Sequence, residues 1–130
     1  MSKKIALVFP KTGFLSDSRM WPPLGLWYLG AQLEKQGHGV DFFDLNFNEM
    51  PKDGEYSQLW LSATSPQIRE TKRIANETSH WKYTKTILGG AGPWANPKTH
   101  LELPFTLVVA GEADHPDTIQ TLVNLADWPP

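Results

Sequence analysis

Small residues follow the fourth of five short apolar segments, and together they could hold a flat ligand. Gly89-Gly90-Ala91-Gly92 comes directly after the apolar segment from Lys85 to Leu88. Glycine has no Cβ, so this backbone would leave a bare surface that a large planar molecule can approach closely. A tight turn alone would not require three glycines and an alanine. These four residues are therefore the most ligand-like local feature of the sequence.

Polar side chains follow two of the other apolar segments. Ser62-Ala63-Thr64-Ser65 offers hydroxyls to a polar ligand, and a helix beginning behind them would favour anionic groups. Gly111-Glu112 follows the fifth segment, where Glu112 and Asp114 are candidate hydrogen-bond acceptors. Each has a structural alternative, because Ser65 can cap a helix, Ser62 can pack under the sheet edge, and both carboxylates can cap the last helix. Both interpretations stay open at this point.

The sequence gives little sign of a catalytic or metal-binding group of residues. His38 and His80 precede apolar segments, which places them at the opposite end of a parallel sheet, and His100 lies on or near a short connecting helix. Only His115 follows a predicted strand, and the neighbouring Pro116 indicates a turn residue rather than a ligand. No nucleophile, histidine and acid form a usable set. We therefore predict no catalytic residues, no protein ligand to a metal, and no enzyme activity of the chain on its own.

The composition excludes several classes of function. The 130 residues include no cysteine, which excludes disulfides, thiolate catalysis and any iron–sulfur cluster held by this chain. The formal net charge is -2 without a basic stripe, so nucleic-acid binding is not expected. The apolar run from Ile5 to Phe9 is too short for a signal peptide or a membrane span. We expect a cytoplasmic protein without nucleic-acid or membrane partners.

Strand-like and helix-like segments alternate along the whole chain. The predicted strands are "KIALVFP", Gly39 to Leu45, "SQLWLSA", Lys85 to Leu88 and "FTLVVAG". The first predicted helix begins at Pro22-Pro23, turns Leu26, Leu29, Gly30 and Leu33 inward and stops at Gly37. The second begins at Pro66 behind the N-cap Ser65, with Ile68, Thr71, Ala75 and Thr78 inward. A short helix is predicted near Asn96-Pro97, and a last one around Ile119, Leu122, Val123 and Ala126. Gly25 and Gly30 lie on or near the apolar stripe of the first helix, where they would allow close packing on the sheet.

This alternation predicts one α/β domain over residues 1–130. The strands are near-continuous apolar runs, as expected when helices cover both faces of a parallel sheet. We predict a doubly wound, Rossmann-like or flavodoxin-like three-layer sandwich with a five-stranded parallel sheet. The flavodoxin-like strand order is the commonest arrangement of that kind.

In such a sheet, ligands bind outside the carboxyl ends of the strands. The loop after the first strand, from Lys11 to about Met20, contains only Gly13, so neither a dinucleotide fingerprint nor a phosphate loop is present. Asp44 stands where a ribose-binding acid would end the second strand, but without the glycine turn we interpret it as an ordinary turn residue. The edge is therefore predicted to be a broad shelf for a flat ligand.

These same segments carry a resemblance to a known family. In order, "KIALVFP", "PPLGLWYLGAQLEKQGHGVDFFDL", "LWLSATS", "ILGGAGPWANP" and "LVVAGEAD" resemble the cobalamin-binding domain that precedes the catalytic barrel in cobalamin-dependent radical-SAM enzymes. The match runs from about Lys4 to Leu125. Its most specific pieces are Pro22-Pro23-Leu24-Gly25-Leu26, Gly89-Gly90 and Gly111-Glu112.

The resemblance implies that cobalamin lies across the carboxyl edge of the sheet, with its nucleotide tail between sheet and helices. By position, the implied cofactor-binding residues are Thr12, Gly13, Pro23, Leu24, Gly25, Ser62, Thr64, Gly89, Gly90, Ala91, Gly111 and Glu112. Trp21 and Trp94 could add apolar walls.

The sequence also departs from the family. The corrinoid-carrier motif Asp-x-His-x-x-Gly is missing after the first strand, so a histidine lower ligand is not expected. The family's Gly-Glu-Gly-Glu becomes Gly111-Glu112-Ala113-Asp114. Neither the barrel nor its three-cysteine motif is in this sequence, which implies a standalone cobalamin-binding module working with a separate radical-SAM or methyltransferase protein. Two alternatives are an interaction protein that kept the fold without the cofactor, and a flavin- or nucleotide-binding protein using the same crevice.

Overall fold

The computed structural model describes residues 3–11, 24–63, 67–90, 93, 97–109 and 116–127, and strands alternate with helices along them. In chain order the elements are β1 (Lys4–Phe9), α1 (Leu24–Lys35), β2 (Gly39–Asp44), β3 (Gln58–Ser62), α2 (Ile68–Thr78), β4 (Lys85–Gly89), α3 (Pro97–His100), β5 (Leu107–Val108) and α4 (Pro116–Ala126). In these residues no helix is both long enough and apolar enough to cross a membrane.

The five strands form one parallel sheet in the order β2-β1-β3-β4-β5. This confirms the predicted doubly wound α/β class, and the observed order is the flavodoxin-like one, which the sequence left open. The chain leaves β1 toward one side for β2 and returns to the other side for β3. The strand order therefore reverses between β1 and β3, which is where open α/β sheets bind their ligands.

Alternate residues of each strand feed two separate cores, one on each face of the sheet. On the first face, Leu7, Trp60 and Ile87 pack with Leu33 of α1 and Val123 of α4. On the second face, Val8, Leu61 and Leu88 pack with Ile74 of α2, which the sequence prediction of the inner face of this helix had missed. Both faces of the central strands are buried, which explains why these strands are continuous apolar runs.

Helix α1 packs closely on the sheet because of Gly30. A Cβ at Gly30 would overlap the ring of Phe42 and lie 3.1 Å from Leu7 Cδ1, so the predicted packing role of this glycine is confirmed. Gly37 ends the helix as predicted, at φ +95°, while its N–H donates to Glu34 O and the N–H of His38 donates to Leu33 O. This is the Schellman arrangement, which satisfies two carbonyls at the helix end.

The start of α2 and the extent of β5 differ most from the sequence prediction. Helix α2 begins at Ile68 with Gln67 in the N-cap position, two residues later than predicted, and Ser65 lies outside the described residues. Of the predicted segment from Phe105 to Gly111, strand β5 spans Leu107–Val108, while Ala110 and Gly111 lie outside the described residues. The strand starts late because the backbone N–H of Thr86 donates to Thr106 Oγ1 at 3.0 Å and that of Thr106 donates to Thr86 Oγ1 at 3.1 Å, so that side-chain hydroxyls replace the carbonyl acceptors of a ladder.

At the amino edge of the sheet, Asp53 joins two connections. Its carboxylate accepts backbone hydrogen bonds from Lys82 (2.7 Å), Tyr83 (3.0 Å) and Thr84 (2.9 Å), which tie the segment before β3 to the segment before β4. Burial alone would raise the pKa of Asp53, but the backbone hydrogen bonds outweigh it and lower the pKa below 3.8. Folding therefore favours the ionised carboxylate of Asp53.

We expect Asp53→Ala to lower the free energy of unfolding near neutral pH, because three backbone N–H groups lose their acceptor. The lowered pKa means that wild-type stability from this carboxylate is fully present above about pH 4 and is lost as pH falls through the folded-state pKa. The difference in free energy of unfolding between wild type and variant, measured in urea, should thus become smaller in acid. Glu49→Ala, at an exposed carboxylate, is the control. A difference independent of pH would contradict this role.

Candidate functional site

The candidate site lies at the carboxyl edge, where β1, β3 and β4 end beside one another. Ser62 and Gly89 end β3 and β4, and they are direct register partners. They follow Trp60 and Ile87 by two residues, and both of those side chains pack in the first-face core. Because strand residues alternate between faces, Ser62 and Gly89 lie on the face that carries α1 and α4.

Gly89 borders open space on that face. A Cβ built on Gly89 meets no atom of the described residues within 4 Å, its chain neighbours aside, and the Ser62 hydroxyl stands on the neighbouring strand. Ser62 itself is half-buried. Among the described residues, the bare backbone of Gly89 and the Ser62 hydroxyl on the strand beside it thus leave a recess at this edge.

Gly90 has a different role from Gly89. Its φ is +100°, and a Cβ there would lie 2.7 Å from Ala63 O, 2.8 Å from Ala63 N and 3.0 Å from Ser62 Oγ. The N–H of Ala63 donates to Gly89 O at 3.0 Å, so the ends of β3 and β4 lie against each other. Gly90 is therefore required by backbone conformation and by close packing, whatever binds above it.

Gln67 connects the start of α2 to the end of β1, and the sequence analysis missed it. Its side-chain Nε2 donates to Pro10 O at 2.9 Å and lies 3.4 Å from Lys11 O. These carbonyls mark where the chain leaves β1 at the reversal of strand order. No local signal could have identified the contact, because its partners are 56 and 57 residues away in sequence.

The β2 side of the edge contains a turn and a small cleft. Asp44 Oδ1 accepts hydrogen bonds from the backbone N–H of Asn46 (2.9 Å) and its side-chain Nδ2 (2.8 Å), which makes it a turn residue as the sequence indicated. Beside it, Trp27 of α1 and Phe42 of β2 line a cleft of about 140 Å³. Ligand pockets typically measure about 300–1,000 Å³, so this cleft is too small for a corrinoid.

The structure places only part of the predicted set of site residues. Leu24 and Gly25 form the first turn of α1, and Ser62, Gly89 and Gly90 meet at the ends of β3 and β4. Seven further predicted residues lie outside the described residues, namely Thr12, Gly13, Pro23, Thr64, Ala91, Gly111 and Glu112. Trp21, Trp94 and His115 lie outside them as well.

Two of the described histidines lie at or near the amino edge of the sheet. His38 directly precedes β2 at the amino edge, where its Nδ1 accepts a hydrogen bond from the backbone N–H of Lys3 at 3.1 Å. His80 follows α2 and leads toward the same edge, while His100 ends α3 and is buried. Within the described ranges, no group of three or more histidines, aspartates or glutamates could hold a metal ion.

Comparisons with known proteins give a consistent result. The family model described as "B12 binding domain" matches residues 14–119. The fold matches a radical S-adenosylmethionine methyltransferase, TsrM from Kitasatospora setae, in a structure with cobalamin and a [4Fe-4S] cluster bound. Its TM-score is 0.72 at 19% identity, over 97% of this chain and 26% of that chain.

A second structure of TsrM from the same organism, with a tryptophan substrate and a SAM analogue bound, matches with a TM-score of 0.68 at 18% identity. This match covers 95% of the present chain and 25% of the TsrM chain. The present chain thus spans about a quarter of the length of the enzyme it resembles. No curated protein sequence matches it.

The two glycines should respond differently to alanine. Gly90→Ala should lower the free energy of unfolding by about 2 kcal/mol or more, since positive φ and a backbone clash both oppose a Cβ. Gly89→Ala should change it by less than about 0.5 kcal/mol, because the added methyl group enters open space. Urea unfolding of both variants measures the difference. Equal losses would contradict the assignment of open space to Gly89.

Proposed function

The chain belongs to the B12 binding domain family, and we propose that it binds cobalamin at the carboxyl edge of its sheet, as a module that serves a separate protein. Membership rests on a family match that covers residues 14–119, well over half of the chain. We further propose that residues 1–130 act as a single domain, in the cytoplasm.

The open space at Gly89 is the observation that carries the proposal. A corrinoid with its nucleotide tail needs a broad, bare surface that leads to a recess beside the sheet, because any side chain in the way would collide with it. Gly89 leaves such a recess on the α1 and α4 face, and Ser62 offers a hydroxyl at its wall. The residues present therefore fit the group.

Each described residue would have a distinct part in binding. Gly89 would leave room for the tail, Ser62 would donate or accept a hydrogen bond, and Gly90 would hold β4 against β3 so that the recess keeps its width. Leu24 and Gly25, in the first turn of α1, would border the cofactor. We propose the same bordering role for Thr12, Gly13, Pro23, Thr64, Ala91, Gly111 and Glu112. Radical or group-transfer chemistry at cobalt is supplied by the cofactor itself.

We propose that no histidine of this chain ligates cobalt from below. The Asp-x-His-x-x-Gly motif is absent after β1, and His38 lies at the amino edge with its Nδ1 already accepting a hydrogen bond. The cobalamin would therefore be held by shape and by hydrogen bonds to its periphery rather than by a protein–cobalt bond.

A partner follows from the chemistry that this chain lacks. It has no cysteine for an iron–sulfur cluster, and the TsrM structure that it resembles contains both cobalamin and a [4Fe-4S] cluster in a chain about four times as long. We propose that the module is not an enzyme on its own and presents cobalamin to a separate radical-SAM or methyltransferase protein.

An interaction protein without cofactor is the second candidate, and one observation favours it. Trp27 is 52% exposed and Phe42 is 41% exposed, and the two line the same small cleft. Exposed aromatic side chains of this kind are common at protein–protein contacts. A partner-binding module that also carries cobalamin would use the same surface, so the cofactor titration separates the two candidates.

Wild-type protein should retain hydroxocobalamin after desalting, as seen in its visible spectrum, and Gly89→Phe should weaken binding by at least about tenfold. The physical reason is that a phenyl ring at Gly89 fills the recess, while the backbone there accepts a side chain without strain. The dissociation constant can be measured by quenching of tryptophan fluorescence during titration.

Gly39→Phe is the matched control, because Gly39 starts β2 at the opposite edge and a Cβ there meets only Lys3 O, at 3.9 Å. This variant should bind like wild type. If the wild type retains no cobalamin, the interaction protein without cofactor becomes the better-supported candidate. Equal weakening by both variants would remove Gly89 from the site.

A second expectation concerns the cobalt ligand. His115→Ala and His100→Ala should leave the visible spectrum of bound hydroxocobalamin unchanged, because no imidazole of this chain replaces a cobalt ligand. A protein–cobalt bond would shift the absorption bands on binding and would be lost in the responsible variant. A spectral change in either variant would therefore overturn the proposed histidine-free site.

A further inference from the structure

We infer that Gln67 is a positioning residue that fixes the exit of the chain from β1, and thereby sets the affinity of the carboxyl edge for cobalamin. The inference rests on the proposed function. Gln67 is 2% exposed, so it acts through the backbone that it holds rather than by touching a ligand from solvent.

The contact is specific for a hydrogen-bond donor. Gln67 Nε2 lies 2.9 Å from Pro10 O and 3.4 Å from Lys11 O, and both partners are carbonyl oxygens, which only accept. The amide nitrogen of Gln67 must therefore face them. If the Gln67 amide is removed, the buried Pro10 carbonyl loses its donor and cannot bind water instead, so the substitution lowers the free energy of unfolding.

Gln67 is itself held firmly. It stands at the N-cap of α2 with φ -89° and ψ 11°, and its side chain makes no capping hydrogen bond to its own helix. Its carbonyl accepts a hydrogen bond from Thr71 Oγ1 at 2.9 Å, and Thr71 and Ile74 are buried against the sheet. The side chain of an N-cap residue usually accepts a hydrogen bond from its own helix. The side chain of Gln67 instead links the start of α2 to the end of β1.

The two connected points lie on either side of the reversal of strand order. β1 ends at Phe9, and α2 follows β3, which is the next strand in the sheet on that side. Pro10 and Lys11 therefore lie at the reversal of strand order, where open α/β sheets bind their ligands. Backbone that moves at this point would present its ligand contacts in many positions, and binding would then have to order them.

Gln58 provides a matched control at the start of β3, the strand that precedes α2. It is fully buried, its Nε2 donates to Val123 O at 2.9 Å, and its Oε1 accepts from Trp60 Nε1 at 2.8 Å. It begins β3, so it lies at the amino end of the sheet, away from the candidate site. Gln58 and Gln67 thus make the same kind of buried amide–carbonyl contact at opposite edges.

The first experiment compares Gln67→Leu with Gln58→Leu, both well below their unfolding temperatures. We expect Gln67→Leu to raise the dissociation constant for hydroxocobalamin about tenfold, and Gln58→Leu to leave it within about twofold despite its loss of stability. Trypsin cleavage after Lys11 of the cofactor-free proteins, followed by mass spectrometry, should accelerate about tenfold in Gln67→Leu alone, because only there is the adjoining backbone released.

A second variant tests the donor requirement and covers the case in which Gln67→Leu fails to fold. Gln67→Glu places a carboxylate against two carbonyls, where burial and repulsion favour the protonated form, which can donate as the amide does. Its cobalamin affinity should therefore be several-fold better near about pH 5 than near about pH 8, while the affinity of Gln58→Glu follows that of wild type across this range. A variant that had only lost stability would not regain cobalamin affinity in acid.

The outcomes separate the two claims. If the wild-type protein binds no cobalamin, the proposed function is overturned. The rate of cleavage after Lys11 then shows independently whether Gln67 fixes the backbone at the exit from β1. Wild-type binding together with equal effects of the Gln67 and Gln58 variants, or a Gln67→Glu affinity that does not change with pH, overturns the positioning role.

Discussion

The close approach of the β3 and β4 backbones at Ala63 and Gly90 is the constraint on which the carboxyl edge depends. A Cβ at Gly90 would lie 2.7 Å from Ala63 O, and φ there is +100°, so only glycine allows β4 to turn away at this point. The same turn leaves Gly89 directly beside Ser62 with open space on the α1 and α4 face. The same short stretch thus combines a tight join of β3 and β4 at Gly90 with a bare backbone at Gly89.

The two faces of the sheet contribute differently to this edge. On the α1 and α4 face, Gly30 brings α1 close to the sheet in its middle, and the recess at Gly89 stays open at the carboxyl end of that face. On the other face, α2 is packed through Ile74 and reaches back to β1 through Gln67. Among the described residues, one face of the sheet thus leaves space at this edge, while on the other face a hydrogen bond from Gln67 holds the end of β1.

The sequence predicted the fold better than the details of the site. Apolar runs such as Ile5 to Phe9 and Leu59 to Leu61 identify central strands because both of their faces are buried. β5 begins later than its apolar run, because Thr106 and Thr86 exchange side-chain hydrogen bonds at the point where backbone pairing was predicted. The different roles of Gly89 and Gly90 depend on the register of β3 against β4, and the contact of Gln67 joins residues 57 apart, so neither has a local sequence signal.

Two kinds of information support the function independently. The family match concerns residues 14–119 as a pattern, whereas the open space at Gly89 is a property of the folded backbone. A Cβ at Gly89 would meet no atom of the described residues within 4 Å, so packing among them does not require a glycine there. Gly90 is the opposite case, because its positive φ and its contact with Ala63 oppose a side chain. The fold alone therefore explains Gly90, whereas for Gly89 the explanation that we propose is a ligand that approaches the bare backbone.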